Sequence, residues 1–210
     1  MSAFQELGLS QAIVSSLTEL GYSSPTEIQA IAIPQILQAQ NDLKAFAQTG
    51  TGKTAAFSLP ILEQIDTNNK STQALILSPT RELAIQIAVN IKDFSKNQKG
   101  LNAMAVYGGA NIDEQIRALK RGVQIVVGTP GRTLDLIKRR ILAVDRIQWL
   151  VLDVADEMLN MGFNEELDNI LLKTPSDKQT VLFSATFPKE VEAIAQNYMN
   201  DPVEISAGKK

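Results

Sequence analysis

The sequence predicts an α/β domain with a mostly parallel central sheet and helices on both faces. Three observations lead there. Short apolar runs recur along the chain, nearly continuous in Val, Ile, Leu and Ala, as strands buried on both faces read. Segments of helical spacing separate them, and such alternation implies parallel strands joined by helical crossovers. A glycine-bearing loop, "AQTGTGKT" at 47–54, joins the first strand to a helix.

The elements follow in order. Residues 1–40 read as a helical preface, and "SPTEIQAIAIPQIL" starts a helix after Pro25 that Ser24 or Thr26 would cap. Strands are expected at 43–48, 74–78, 102–107, 124–128, 149–153, 180–184 and 203–206. Helical spacing marks 53–65, 81–96, 112–120, 131–139, 164–172 and 188–199. The stretch "DTNNKST" (66–72) is a polar surface loop.

Composition narrows the chemistry. A chain of 210 residues with 44% hydrophobic and 20% charged side chains suits one large globular α/β domain, or two small ones. No apolar run approaches the ~18 residues of a membrane span, and "MSAFQELGLS" lacks a basic-then-apolar signal pattern. No membrane partner is expected. The absence of cysteine excludes disulfides and thiolate chemistry and suits a reducing compartment, hence the cytoplasm. The absence of histidine excludes Ser-His-Asp triads, His-ligated zinc and a histidine base. A net charge of −3 gives no global nucleic-acid signal, so any such site is a local stripe.

The loop at 47–54 reads as a P-loop. Gly50 and Gly52 let the backbone turn its amides toward phosphate oxygens, and the helix N-terminus adds partial positive charge. Lys53 would reach the β- and γ-phosphates and the Thr54 hydroxyl would ligate Mg²⁺. The strict pattern has glycine where this chain has Ala47. Asp153, ending "WLVLD", is the candidate second Mg²⁺ ligand. As an alternative it would cap the short helical stretch that follows.

Five further strings join these: "GYSSPTEIQ" (21–29), "PTRELA" (79–84), "TPGR" (129–132), "DVAD" (153–156) and "SAT" (184–186). In this order and spacing, with the isolated Phe4 upstream, the set resembles the first RecA-like domain of DEAD-box RNA helicases. "MAVYGGANIDEQIRAL" and "DEMLNMGF" look most like bacterial members. The resemblance implies an adenine-recognition preface over 1–40, a RecA-like ATP-binding domain over 41–206, and an interdomain linker starting at 207–210. The second RecA-like domain would be missing, and with it the arginine fingers and half of the RNA site.

The resemblance also implies roles. ATP would be held by Phe4, Tyr22, Thr26, Gln29, Ala47, Gln48, Thr49, Gly50, Thr51, Gly52, Lys53 and Thr54. Gln29 would read the adenine edge with its amide, and Phe4 would stack on the base or, alternatively, anchor the preface. RNA backbone would meet Pro79, Thr80, Arg81, Gly108, Gly109, Thr129, Pro130, Gly131 and Arg132, largely without regard to sequence. The plainer reading of Pro79 and Pro130 is that they start helices, and both readings can hold. Lys53, Asp153, Asp156, Ser184 and Thr186 would serve hydrolysis and its relay to RNA.

One position departs from the family. After the metal-binding aspartate the family carries a glutamate that orients the attacking water; here it is Val154, with no polar side-chain atom. Glu157 is the nearest spare carboxylate, one turn on and expected to fall short of that water. The sequence thus predicts a site that binds ATP and cleaves it poorly. Two other classes compete: a nucleotide-gated RNA clamp without turnover, and a small-molecule kinase using the same loop. The strings "PTRELA" and "TPGR" argue against the kinase, which needs neither.

Overall fold

In the computed structural model, which describes residues 1–38 and 41–208, seven parallel strands form one sheet. The expected preface end at 39–40 and the last two linker residues, 209–210, lie outside the described residues. The strands are β1 (Leu43–Phe46), β2 (Ala74–Leu77), β3 (Ala103–Val106), β4 (Ile125–Gly128), β5 (Trp149–Leu152), β6 (Gln179–Ser184) and β7 (Val203–Ser206). Their order across the sheet is β3-β4-β2-β5-β6-β1-β7. The preface holds three helices, α1 (Ala3–Glu6), α2 (Gln11–Glu19) and α3 (Glu27–Gln38). The crossovers carry α4 (Lys53–Gln64), α5 (Arg81–Phe94), α6 (Ile112–Lys120), α7 (Pro130–Lys138), α8 (Ala155–Asn160), α9 (Asn164–Lys173) and α10 (Lys189–Tyr198).

The continuous apolar strands are explained by what each face touches. Along β2, Ala74 and Ile76 enter a core shared with α2 to α5, while Leu75 and Leu77 enter a second core with α7 to α10. β5 alternates likewise, with Trp149 and Val151 on one side and Leu150 and Leu152 on the other. Period-two alternation persists, but both sets are apolar because both faces are dry. Phe4, Leu9, Ile13 and Leu17 of the preface belong to the first core, so the preface and the sheet share one hydrophobic interior.

Most expected element ends shift by a residue or two, and two changes bear on the loop after β1. β1 stops at Phe46 instead of residue 48, because the chain peels away there into the loop; only the Ala47 N–H stays with the sheet, donating to Ser184 O at 3.1 Å. Thr26 does not cap α3 with its side chain: its hydroxyl donates to Thr51 O at 2.9 Å instead.

The ends of β3, β4, β2 and β5 are in register, and β6 and β1 end together two residues farther on. Val106 pairs with Gly128, Gly128 with Leu77, Leu77 with Leu152, Leu152 with Leu182, and Phe46 with Ser184. Since every strand is parallel, the loops after β1 to β6 all leave the same edge. In open α/β sheets that carboxyl edge is where ligands bind.

Candidate functional site

The loop after β1 is built around two left-handed glycines, Gly50 (φ +79°) and Gly52 (φ +86°), the latter N-capping α4. Gly52 is required twice over, because a Cβ there would also lie 2.5 Å from Gln29 Nε2 and 3.0 Å from Thr26 Oγ1. That closeness comes from hydrogen bonds. Gln29, 1% exposed, donates from Nε2 to Gly52 O (3.1 Å) and accepts at Oε1 from Thr26 N–H (3.0 Å). Within the loop, Thr51 Oγ1 donates to Gln48 O at 2.7 Å. The preface therefore braces the loop through backbone carbonyls. Ala47 is fully buried in the first core, where its methyl packs.

Lys53 opens α4 and faces Asp153 across the cleft, Nζ to Oδ1 3.6 Å. Asp153 is 4% exposed, and its Oδ1 has no hydrogen-bond partner. Burial pushes this carboxyl above its usual range, partly offset by the Lys53 ammonium. A buried carboxylate oxygen without a hydrogen bond, in one cleft with Gly50, Gly52 and Thr54, fits a divalent cation. Among the described residues no group of three or more His, Cys, Asp or Glu side chains forms a metal site. A cation here would thus complete its shell with ligand oxygens and water, as Mg²⁺ does on a triphosphate.

Asp153 is not the helix cap that the sequence offered as its alternative role. The N-cap of α8 is Val154, left-handed at φ 54° and ψ 55°. For a β-branched side chain this is a true outlier, of order 1–3 kcal/mol. Its carbonyl accepts from the N–H groups of Glu157 (3.1 Å) and Met158 (3.2 Å). Val154 lines a cleft of about 370 Å³ together with Gly50, Gly52, Lys53, Thr54 and Asp153. Glu157, expected to stand apart, lines the same cleft and is exposed. So does a face of α5 that the sequence reading missed: Leu83, Gln86, Ile87 and Asn90. Their spacing looks like an ordinary buried stripe; only the carboxamides at 86 and 90 break it.

The two aromatic candidates part company. Tyr22, 38% exposed, lines the cleft and meets Phe94 edge-on at 5.8 Å between centroids. Phe4 is 2% exposed inside the first core, where it anchors the preface.

The "SAT" string closes on "DVAD". The Asp156 N–H donates to Ser184 Oγ (3.2 Å), and Ser184 Oγ donates to Thr186 O (2.6 Å). Asp156 Oδ2 accepts from Thr186 N–H (3.1 Å) and Thr186 Oγ1 (2.7 Å). These bonds tie the start of α8 to the segment after β6.

Farther along the same edge, Thr80 caps α5 by accepting from Leu83 N–H at 3.3 Å, and exposed Arg81 lies over the Tyr107 ring at 4.9 Å. Gly108 and Gly109 follow β3 fully open to solvent, Gly109 at φ +80°. Thr129 caps α7, Pro130 takes its first turn, Gly131 is exposed, and Arg132 donates to Ala110 O and Gln115 Oε1. Both helix starts, and both arginines, thus face the loop after β3. Gly128, which the sequence reading passed over, makes this possible: a Cβ there would overlap Thr133 Oγ1.

The pattern of the DEAD/DEAH box helicase family matches residues 26–194. The chain is 53% identical over 201 residues to the RNA helicase CrhR of Synechocystis, covering 96% of this chain and 40% of that protein. It is 50% identical over 204 residues to the ATP-dependent RNA helicase DeaD of Escherichia coli K12, covering 97% of this chain and 32% of that protein. The crystal structure of a DEAD box protein from the hyperthermophile Methanococcus jannaschii superposes with a TM-score of 0.94 at 45% identity, over 99% of this chain and 56% of that one. The chain therefore spans well under two thirds of each of these proteins.

Proposed function

This chain belongs to the DEAD/DEAH box helicase family, and from that premise we propose that it is the ATP-binding domain of an ATP-dependent RNA helicase. The observation that carries the proposal is the meeting of three remote strings at one edge of the sheet: the 47–54 loop, Asp153 with an oxygen that faces Lys53 and makes no hydrogen bond, and the Asp156–Ser184–Thr186 cluster. In the proposed mechanism the loop amides and Lys53 hold the triphosphate, and Lys53 transfers its contact from Asp153 to the β- and γ-phosphates. Thr54 and Asp153 would hold Mg²⁺, which when bound screens the phosphate charge. Gln29, already tied to the loop, would report adenine to it; Tyr22 offers the exposed ring nearest the cleft.

Arg81, Arg132 and the open glycines at 108 and 109 would meet RNA phosphates without reading bases. The Asp156–Thr186 link would carry the state of the nucleotide to that grip. Residues 1–40 would recognise adenine, 41–206 bind ATP and RNA, and 207–210 lead toward a second RecA-like domain that completes both sites. A chain without cysteine suits the reducing cytoplasm.

Val154 favours a second reading for this form, an ATP-gated RNA clamp with little turnover. Losing a positioned base costs about 10²–10⁴ in rate, roughly 3–5 kcal/mol of barrier. The two readings separate in one experiment. ATP hydrolysis is followed with and without RNA in the longer protein carrying both domains. RNA-stimulated turnover supports the helicase, and nucleotide-dependent RNA retention without turnover supports the clamp. Binding of neither ATP nor RNA would refute the proposal.

A further inference from the structure

α6 is amphipathic, yet the side chain it buries is a carboxamide: Gln115 is 7% exposed. Buried polar groups cost free energy unless their bonds are made, and here both ends are used. Gln115 Nε2 donates to Tyr107 O at 3.2 Å, and Oε1 accepts from Arg132 Nη1 at 3.0 Å. The same guanidinium donates to Ala110 O from Nη1 (3.4 Å) and Nη2 (3.3 Å). One amide thus joins three segments: the loop after β3, α6, and the arginine of α7. On the far side of that loop, Arg81 rests on the Tyr107 ring. Tyr107 and Ala110 are the points against which both arginines are set, and Gln115 fixes the spacing between them.

We propose that Gln115 is a positioning residue of the nucleic-acid site, holding Arg132 in place without neutralising it. A carboxylate would hold a guanidinium more strongly, as a charge-assisted pair. It would also cancel the charge a phosphate needs. An amide oxygen gives direction and leaves the full positive charge, with the donors that Ala110 and Gln115 do not occupy, free for a phosphate. The inference rests on the RNA-binding reading above.

The test uses the 210-residue chain, a fluorescein-labelled single-stranded oligoribonucleotide and a KCl series read by anisotropy. Each phosphate contact contributes a slope of about 0.7 in log K against log salt for single strands. Gln115→Glu should make the slope shallower by about that one contact and weaken binding at low salt by about tenfold. Gln115→Leu, which frees Arg132 but leaves its charge, should weaken binding several-fold with the slope nearly kept. In an Arg132→Leu background, Gln115→Leu should add nothing, because Gln115 acts through that arginine. Binding of a fluorescent ATP analogue should be unchanged throughout, since Gln115 does not line the nucleotide cleft.

A merely structural glutamine would leave the salt slope of Gln115→Glu unmoved while lowering its melting temperature, and Gln115→Leu would add its loss to that of Arg132→Leu. Either result overturns the proposal. If the unsubstituted chain shows no salt-dependent RNA binding, the RNA reading itself fails, and this inference with it.

Discussion

Gly128→Ala should destabilise the domain and disturb the edge proposed to meet RNA. Gly128 ends β4, and α7 begins two residues later, so the helix start is pressed onto the strand end. The added Cβ would overlap Thr133 Oγ1, lie 2.8 Å from Val106 Cγ2 and 3.4 Å from Thr133 Cβ. All three atoms belong to short, β-branched side chains, and Thr133 and Val106 are fully buried, so neither can swing far. Overpacking of this kind costs about 1–3 kcal/mol. At about 2–4 °C per kcal/mol for a domain of this size, the melting temperature should fall by roughly 4–8 °C for a cost near the middle of that range. Thr133 Oγ1 is itself buried without a partner, so Thr133→Ala alone should be nearly neutral. Combined with Gly128→Ala it should restore about half of the loss, because one of two overlaps is removed. Thermal melts followed by circular dichroism decide it. If Gly128→Ala melts within 1 °C of the parent chain, or Thr133→Ala restores nothing, the close approach of α7 to the sheet is not what requires glycine.

Two further outcomes follow from the hydrogen bonds. Gln29→Ala removes partners of Gly52 O and Thr26 N–H, so affinity should drop for ATP and GTP alike, with a further loss confined to ATP if the amide also reads adenine; titration with fluorescent analogues of both separates the two parts. Each lost buried pair is worth about 1–3 kcal/mol. Asp156→Asn turns an acceptor of two Thr186 bonds into a group that also donates, so nucleotide-dependent RNA retention in the two-domain protein should fall at least tenfold while ATP affinity stays within a few-fold; equal losses of both would mean that the cluster only supports the cleft.

The fold was legible because strands buried on both faces leave an unbroken apolar trace, and the helices between them fix the parallel connection. The phosphate loop was legible because glycine conformations, a lysine and a helix start must be contiguous in sequence. What escaped depends on contacts between distant segments. Gln115 looks like one more polar residue on a charged helix until Tyr107 O and Arg132 are seen at its two ends. Gly128 reads as an ordinary strand terminus until Thr133 is placed above it. The face of α5 lining the cleft has the spacing of a core stripe, and nothing in that spacing says that its outer edge meets a phosphate loop. The sequence offers both Phe4 and Tyr22 as nucleotide contacts, and only burial separates the ring in the core from the ring at the cleft.

In the proposed mechanism Val154 leaves a site that holds ATP and cleaves it poorly. The direct measurement is RNA-stimulated phosphate release by the two-domain protein with Val154 and with Val154→Glu, alongside the dissociation constant of ATP·Mg²⁺. Restoring the carboxylate should raise turnover by about 10²–10⁴ and leave affinity within a few-fold. Equal turnover in the two forms would mean that another side chain in the cleft, with Glu157 foremost, already orients the water, and that Val154 does not limit hydrolysis.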